Sequence, residues 1–170
     1  CGNIFAGTDG GVHRSRDHGV SWQSIGITSG SILALASVGD STLYAGDDMD
    51  GAVYRSIDLG SGWERLAWGL TNGQIQDIAI NSQGDLFASA IGTSVRVCRR
   101  SHETNEWEEL FTDQPINKFC FDKNGHGFAA SLRNLAGVGG VFQSTDDGSS
   151  WGRIVSSDFD VFSVTASNPY

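Results

Sequence analysis

Short apolar runs, separated by turns rich in glycine and aspartate, recur along the chain and fall into four columns of strand-like segments. One column pairs an aromatic with alanine: Asn3-Ile4-Phe5-Ala6-Gly7, Thr42-Leu43-Tyr44-Ala45-Gly46, Asp85-Leu86-Phe87-Ala88-Ser89 and His126-Gly127-Phe128-Ala129-Ala130. The next reads Val12-His13-Arg14, Val53-Tyr54-Arg55, Cys98-Arg99-Arg100 and Val141-Phe142-Gln143, each ending at a serine. A further column opens on tryptophan and sets an aliphatic residue three positions on, at Ile25, Leu66, Leu110 and Ile154. The last comprises 32 to 37, 75 to 80, 116 to 121 and 161 to 166, near-continuous apolar runs of the kind expected for strands buried on both faces. No helical period of similar length competes, so the pattern predicts an all-β chain built from a four-stranded unit.

The unit is punctuated by one eight-residue pattern, Ser-x-Asp-x-Gly-x-x-Trp, at 15 to 22, 56 to 63 and 144 to 151, with a worn copy at 101 to 107. Its tryptophans Trp22, Trp63, Trp107 and Trp151 stand 41, 44 and 44 residues apart, which makes the chain a tandem repeat. Asp and Ser side chains can hydrogen-bond nearby main-chain N–H groups, and glycine supplies positive φ at no steric cost, so the pattern predicts a hairpin turn. The tryptophan then re-enters a strand and offers a large apolar face.

This pattern resembles the Asp-box, or bacterial neuraminidase repeat, of sialidases, family 74 xyloglucanases and sortilin-type receptors, all built on β-propellers. The resemblance implies an all-β propeller of four-stranded blades. It also implies structural rather than ligand-binding roles for Ser15, Asp17, Gly19, Trp22, Ser56, Asp58, Gly60, Trp63, Ser144, Asp146, Gly148 and Trp151, because in those families the box lies away from the ligand face. We expect a single domain over 1–170, with blades near 161–170 plus 1–27, 28–70, 71–113 and 114–160. The terminal blade would close by pairing Val161 to Ala166 with Ile4 to Thr8, a strand exchange that hides sheet edges. The alternatives to a closed four-bladed ring are a homodimer or larger propeller assembly of such chains, and a fragment of a longer propeller with six to eight blades.

Charge narrows the partners. The net charge of −9 argues against a nucleic-acid backbone and against an anionic membrane surface. No run is long and apolar enough to be a membrane span. The three cysteines form neither a disulfide framework nor a zinc spacing; Cys98 and Cys120 read as small buried hydrophobes, and Cys1 is a candidate lipidated residue of a cleaved lipoprotein. No metal site and no cofactor is expected, with one candidate exception: Asp47-Asp48-Met49-Asp50-Gly51 faintly resembles a Ca²⁺ loop, without the alternating spacing or the later Glu of an EF-hand.

In an up-and-down blade the second-to-third and fourth-to-first connections share one face, opposite the box turns. That face gathers Asp9, Asp47, Asp48, Asp50, Asp113, Asp158 and Asp160 against one base, Arg133, and carries an insertion from Ser131 to Gly140 that includes Asn134. Trp68, the only tryptophan outside the repeat column, lies in another of its loops with Asn72, suited to stacking on a sugar ring or a peptide. The candidate binding residues are therefore Trp68, Asn72, Asp47, Asp48, Asp50, Arg133 and Asn134. Asp77 and Lys118 share a column of successive first strands and read as a structural ion pair.

A complete sialidase does not fit. The resemblance would require three substrate arginines and a tyrosine nucleophile, whereas Arg14, Arg55 and Arg100 recur beside the box and Tyr44 and Tyr54 fall in core columns. The reading is a non-catalytic binding or scaffolding module, secreted, periplasmic or at the cell surface, recognising a carbohydrate or protein partner. The alternative is a glycoside hydrolase, or a piece of one, using paired aspartates roughly 6.5–9.5 Å apart for an inverting reaction.

Overall fold

Strands and turns account for the regular structure, and no helix occurs among the described residues. The computed structural model describes residues 2–27, 30–49, 51–66, 73–92, 95–111 and 114–166. They divide into two units, Cys1–Ile75 and Gln76–Tyr170.

The first unit contains a three-stranded sheet in the order β1 (Ile4–Thr8), β2 (Gly11–Ser15) and β3 (Gln23–Ser24). Its second sheet runs β4 (Ile32–Val38), β5 (Thr42–Asp47), β6 (Val53–Ser56) and β7 (Glu64–Leu66). All pairs are antiparallel and sequential, as short turns between neighbouring strands require. Val12, Ile25, Ile32 and Ala45 form its core, with Phe5, Leu35, Tyr54 and Trp63 packed against them. Gly7 permits a close approach of β1 to β4, since a methyl placed there would lie 2.5 Å from the Ile32 carbonyl oxygen.

Two four-stranded meanders of the same kind make up the second unit. One joins β8 (Gly73–Ile80), whose opening residues precede the division, to β9 (Leu86–Gly92), β10 (Val95–Arg100) and β11 (Trp107–Phe111). The other joins β12 (Ile116–Phe121), β13 (Gly127–Ser131), β14 (Gly139–Ser144) and β15 (Gly152–Ser157). The core is aromatic: Phe87, fully buried, lies with its ring centroid 4.7 Å from Phe121, 6.2 Å from Phe119 and 6.3 Å from Trp151. Tilted and edge-on pairs at such distances satisfy the ring quadrupoles as well as burying area.

One expectation changes. The most buried strands are the second of each four-stranded sheet, not the first: β5, β9 and β13 are buried at nearly every position, whereas Leu33 of β4 is half exposed. A second strand has a hydrogen-bonded neighbour on both edges, and its small residues Ala45, Gly46, Ala88, Ser89, Ala129 and Ala130 let packing close over both faces.

Residues 161–166 belong to the second unit and take no regular strand. Val161 N instead donates to Ser131 O at 3.1 Å, Asn117 Nδ2 to Phe162 O at 2.6 Å, and the Ala166 N–H reaches the Cys120 thiol. The tail thus follows β12 in the same chain direction, its polar groups engaged by the second unit.

Candidate functional site

The repeated turn is a closed hydrogen-bond set. At 15 to 22 Ser15 Oγ donates to Asp17 Oδ1 at 2.8 Å and accepts from Gly19 N at 2.8 Å, while Asp17 Oδ1 accepts from Ser21 N at 2.8 Å. At 56 to 63 the same bonds link Ser56, Asp58, Gly60 and Gly62, and at 144 to 151 they link Ser144, Asp146, Gly148 and Ser150. Trp22 and Trp151 each return an indole N–H to the carbonyl of the turn glycine, at 3.1 and 3.0 Å. Trp63 differs, its buried Nε1 having no partner among the described residues.

Positive φ at the glycine was foreseeable; the residue before it also adopts φ near +60°, at His18 (61°), Leu59 (60°) and Asp147 (55°). Nothing in the sequence marks Leu59 for that conformation. The worn copy keeps such a residue at Asn105 (φ 61°) but closes through Ser101 main-chain bonds and Thr104 N to Ser101 Oγ.

Hydrogen bonds from Ser21 and Ser15 hold the Asp17 carboxyl at about 2, and those from Ser150 and Ser144 hold Asp146 at about 2; Asp58 is lowered by Gly62 N and Ser56. An unfolded Asp titrates near 3.9, so the stability these carboxylates contribute is complete above about pH 4 and is lost as pH falls toward about 2. Urea midpoints measured across that acid range are expected to fall. In an Asp17→Asn/Asp146→Asn variant the same acid limb should be flatter, because the amides do not titrate.

At the opposite end of the sheets stand the candidate binding residues. Asp47, 4% exposed at the end of β5, accepts from Met49 N at 2.6 Å, and Gly30 packs so closely on its carboxylate that a methyl there would collide with Oδ2. Asp48 N donates to Ser31 O, and its Oδ1 is buried without a hydrogen-bond partner among the described residues. Asp50, Trp68, Asn72, Asp113 and Cys1 lie outside the described residues. Among the described residues no three His, Cys, Asp or Glu side chains are grouped to hold a metal ion.

In the second unit the insertion is shaped by two of the candidates. Asn134 Oδ1 accepts from Ala136 N and Val138 N at 3.0 and 3.2 Å, so the side chain acts as the turn's own scaffold. Arg133 N donates to Asp160 Oδ1 at 2.7 Å, with Nε at 3.4 Å and Nη1 reaching Asp158 O at 3.3 Å. The Arg133 main-chain N–H, followed by its guanidinium, holds the Asp160 carboxyl below the usual range. These loops border a recess of about 380 Å³ lined by Gly137, Val138, Ser156, Ser157, Asp158 and Phe159. Phe159 is 62% exposed, and Leu135 projects fully into solvent at the insertion's tip.

Asp77 and Lys118 do meet: Lys118 Nζ donates to Asp77 Oδ1 at 2.6 Å and Phe119 N to Oδ2 at 2.7 Å. Burial raises the Asp77 carboxyl more than Lys118 and Phe119 lower it. Both oxygens are committed, which is the geometry of a strand-to-strand tie. Sequence reasoning missed a second tie, in which Asp147 accepts from Ser82 Oγ (2.7 Å) and Gln83 Nε2 (3.2 Å) while its carbonyl accepts from Asn81 Nδ2 (2.8 Å).

No protein-family model and no curated protein matches the chain. Solved structures do. A GH74 xyloglucanase from Xanthomonas campestris superposes with a TM-score of 0.70 at 15% identity, over 89% of this chain and 27% of that one. The extracellular domain of a proposed hybrid two-component system from B. thetaiotaomicron gives 0.69 at 13% identity, over 90% and 21%. YCF48 bound to D1 peptide gives 0.54 at 19% identity, over 84% and 46%. The likeness establishes the fold class, an all-β protein of the β-propeller kind. The chain spans between a fifth and a half of the length of these structures.

Proposed function

We propose that this is a non-catalytic, extracytoplasmic propeller module that binds a carbohydrate or protein partner through the loop face of its second unit. The observation that carries this reading is the division of labour there. The polar groups of Arg133, Asn134 and Asp160 are consumed in shaping the loops, while Phe159 and Leu135 are turned outward beside a recess. Exposed aromatic and aliphatic side chains on a rigid polar frame suit a peptide or the apolar face of a sugar.

The three full turns are read as Asp-boxes with a structural role, supported by their common Ser–Asp–Gly bonding. Placement outside the cytoplasm is supported by the extracellular domain among the similar structures, and no described helix is long and apolar enough to cross a membrane. The peptide bound by YCF48 supports a protein partner, and the xyloglucanase supports a glycan.

Titration calorimetry with xyloglucan oligosaccharides, run beside selection from a displayed peptide library, tests the proposal. Binding without release of reducing ends is expected. Phe159→Ala and Arg133→Ala should each weaken it about tenfold, roughly 1.4 kcal/mol. Hydrolysis of the oligosaccharide overturns the non-catalytic reading, and absence of binding to both ligand classes overturns the module reading.

A further inference from the structure

The recess beside the insertion of the second unit has two groups left over. Around it, Ser157 Oγ donates to Phe159 O at 2.8 Å, Arg133 Nη1 to Asp158 O at 3.3 Å and Arg133 N to Asp160 Oδ1 at 2.7 Å. The main chain is thereby held on both sides of Asp158 and Phe159. Yet the Asp158 carboxylate, exposed to solvent, has no hydrogen bond or ion pair among the described residues, and the Phe159 ring is 62% exposed. We propose that this recess receives the side chain of an arginine displayed by a protein partner, with the guanidinium paired to Asp158 and stacked on Phe159. The inference rests on the reading of this face as a binding face and narrows its ligand to a basic peptide segment.

The lining decides the chemistry. Of Gly137, Val138, Ser156, Ser157, Asp158 and Phe159, one residue is charged, and its sign is negative. The neighbouring charges Arg133 and Asp160 are joined to each other, Nε to Oδ1 at 3.4 Å, and offset one another at the rim. What remains is one carboxylate beside one aromatic face. A planar guanidinium can serve both at once, donating through its edge to the carboxylate while its weakly hydrated face lies on the ring, whereas an ammonium is a point charge that must favour one of them. The methylene stem finds Gly137 and Val138, the apolar part of the lining.

The same unit already uses both halves of this arrangement for itself. Arg153 places its guanidinium carbon 5.0 Å from the centroid of the Phe142 ring, and Arg99 Nη2 meets Asp85 Oδ2 at 2.9 Å. A sugar is served less well, because its hydroxyls need donors as well as acceptors. Two donors that border the recess, the Arg133 guanidinium and the Ser157 hydroxyl, are directed at Asp160, Asp158 O and Phe159 O. The frame is also set in advance: a methyl on Gly139 would lie 2.7 Å from Phe159 O, so β14 and the 158–160 loop are packed against each other before any ligand arrives. The net charge of −9 adds a long-range attraction for a basic partner.

Amide chemical shifts of the 170-residue chain, followed during titration with the end-capped peptide Gly-Gly-Arg-Gly-Gly, test the proposal. Saturable movement in the millimolar range is expected at Gly137, Val138, Ser157 and Phe159, and added salt should weaken it. The same peptide with citrulline in place of arginine keeps the shape, loses the charge and should leave those amides unmoved. Asp158→Asn should weaken the arginine peptide about fivefold and Phe159→Leu about threefold. The citrulline control is made on the peptide, so the test does not depend on how a variant folds. Equal binding of the two peptides, or saturable shifts confined to residues outside the recess, overturns the proposal. So does a chain that ignores the arginine peptide while binding xyloglucan oligosaccharides or displayed peptides without a basic residue, and that outcome leaves the module reading standing. Failure of the arginine peptide, the oligosaccharides and the displayed library together overturns both.

Discussion

Phe87→Ala is expected to destabilise the protein by about 3–5 kcal/mol, the usual cost of emptying a fully buried aromatic site. The ring is 0% exposed and touches three other rings, Phe119, Phe121 and Trp151, so its removal leaves a void walled by rigid side chains with little freedom to collapse. Denaturant titration followed by tryptophan fluorescence reads the loss. Trp151 lies against the cavity, so its emission should shift even in the folded variant. A loss below about 1 kcal/mol would mean that the aromatic cluster is not the core of its unit.

Gly148→Ala should cost about 2–4 kcal/mol, from two sources. Its φ of +86° penalises any Cβ, and the added methyl would run into the Phe87 ring. The contrast is Gly19→Ala at the equivalent turn position, with φ of +89° but open space around the site, where only the conformational part, about 1–2 kcal/mol, is expected. Because the methyl at 148 and the ring at 87 compete for one volume, the double variant Phe87→Ala/Gly148→Ala should be less unstable than the sum of the single changes. Additivity within about 0.5 kcal/mol would show that the two positions do not share that space.

The fold was legible because its signals are local. Ser, Asp and Gly within eight residues close a turn on their own atoms, so the spacing of the tryptophans was enough to count the repeats and place most strands. What escaped depends on distant partners. The φ near +60° at Leu59 accompanies a main-chain bond to Ser41 and a bond from Arg14, neither visible in the pattern around residue 59. Asp147 looked like an idle turn residue until Asn81, Ser82 and Gln83 were seen to converge on it.

The candidate site was legible in part. Loop acids are easy to find and hard to interpret, because a carboxylate that shapes a turn, as Asp47 does for Met49, has the same sequence appearance as one waiting for a ligand. Arg133 and Asn134 were singled out for the length of their loop, and the geometry gives them the work of organising it. Phe159 was overlooked: a lone aromatic between two aspartates carries no periodic signal, and its exposure emerges only from the way Ser157 Oγ and Arg133 hold the surrounding main chain.

The self-contained bonding of the Ser–Asp–Gly turn has a bearing on ancestry. A corner whose Ser–Asp–Gly bonds all close within eight residues can be duplicated in tandem with those bonds intact, whereas ties such as Asn81 to Asp147 must be reinvented after each copying event. Descent by duplication would therefore preserve the corner while the loops at the far end drift, leaving a lineage whose most recognisable letters are those least concerned with what the molecule binds.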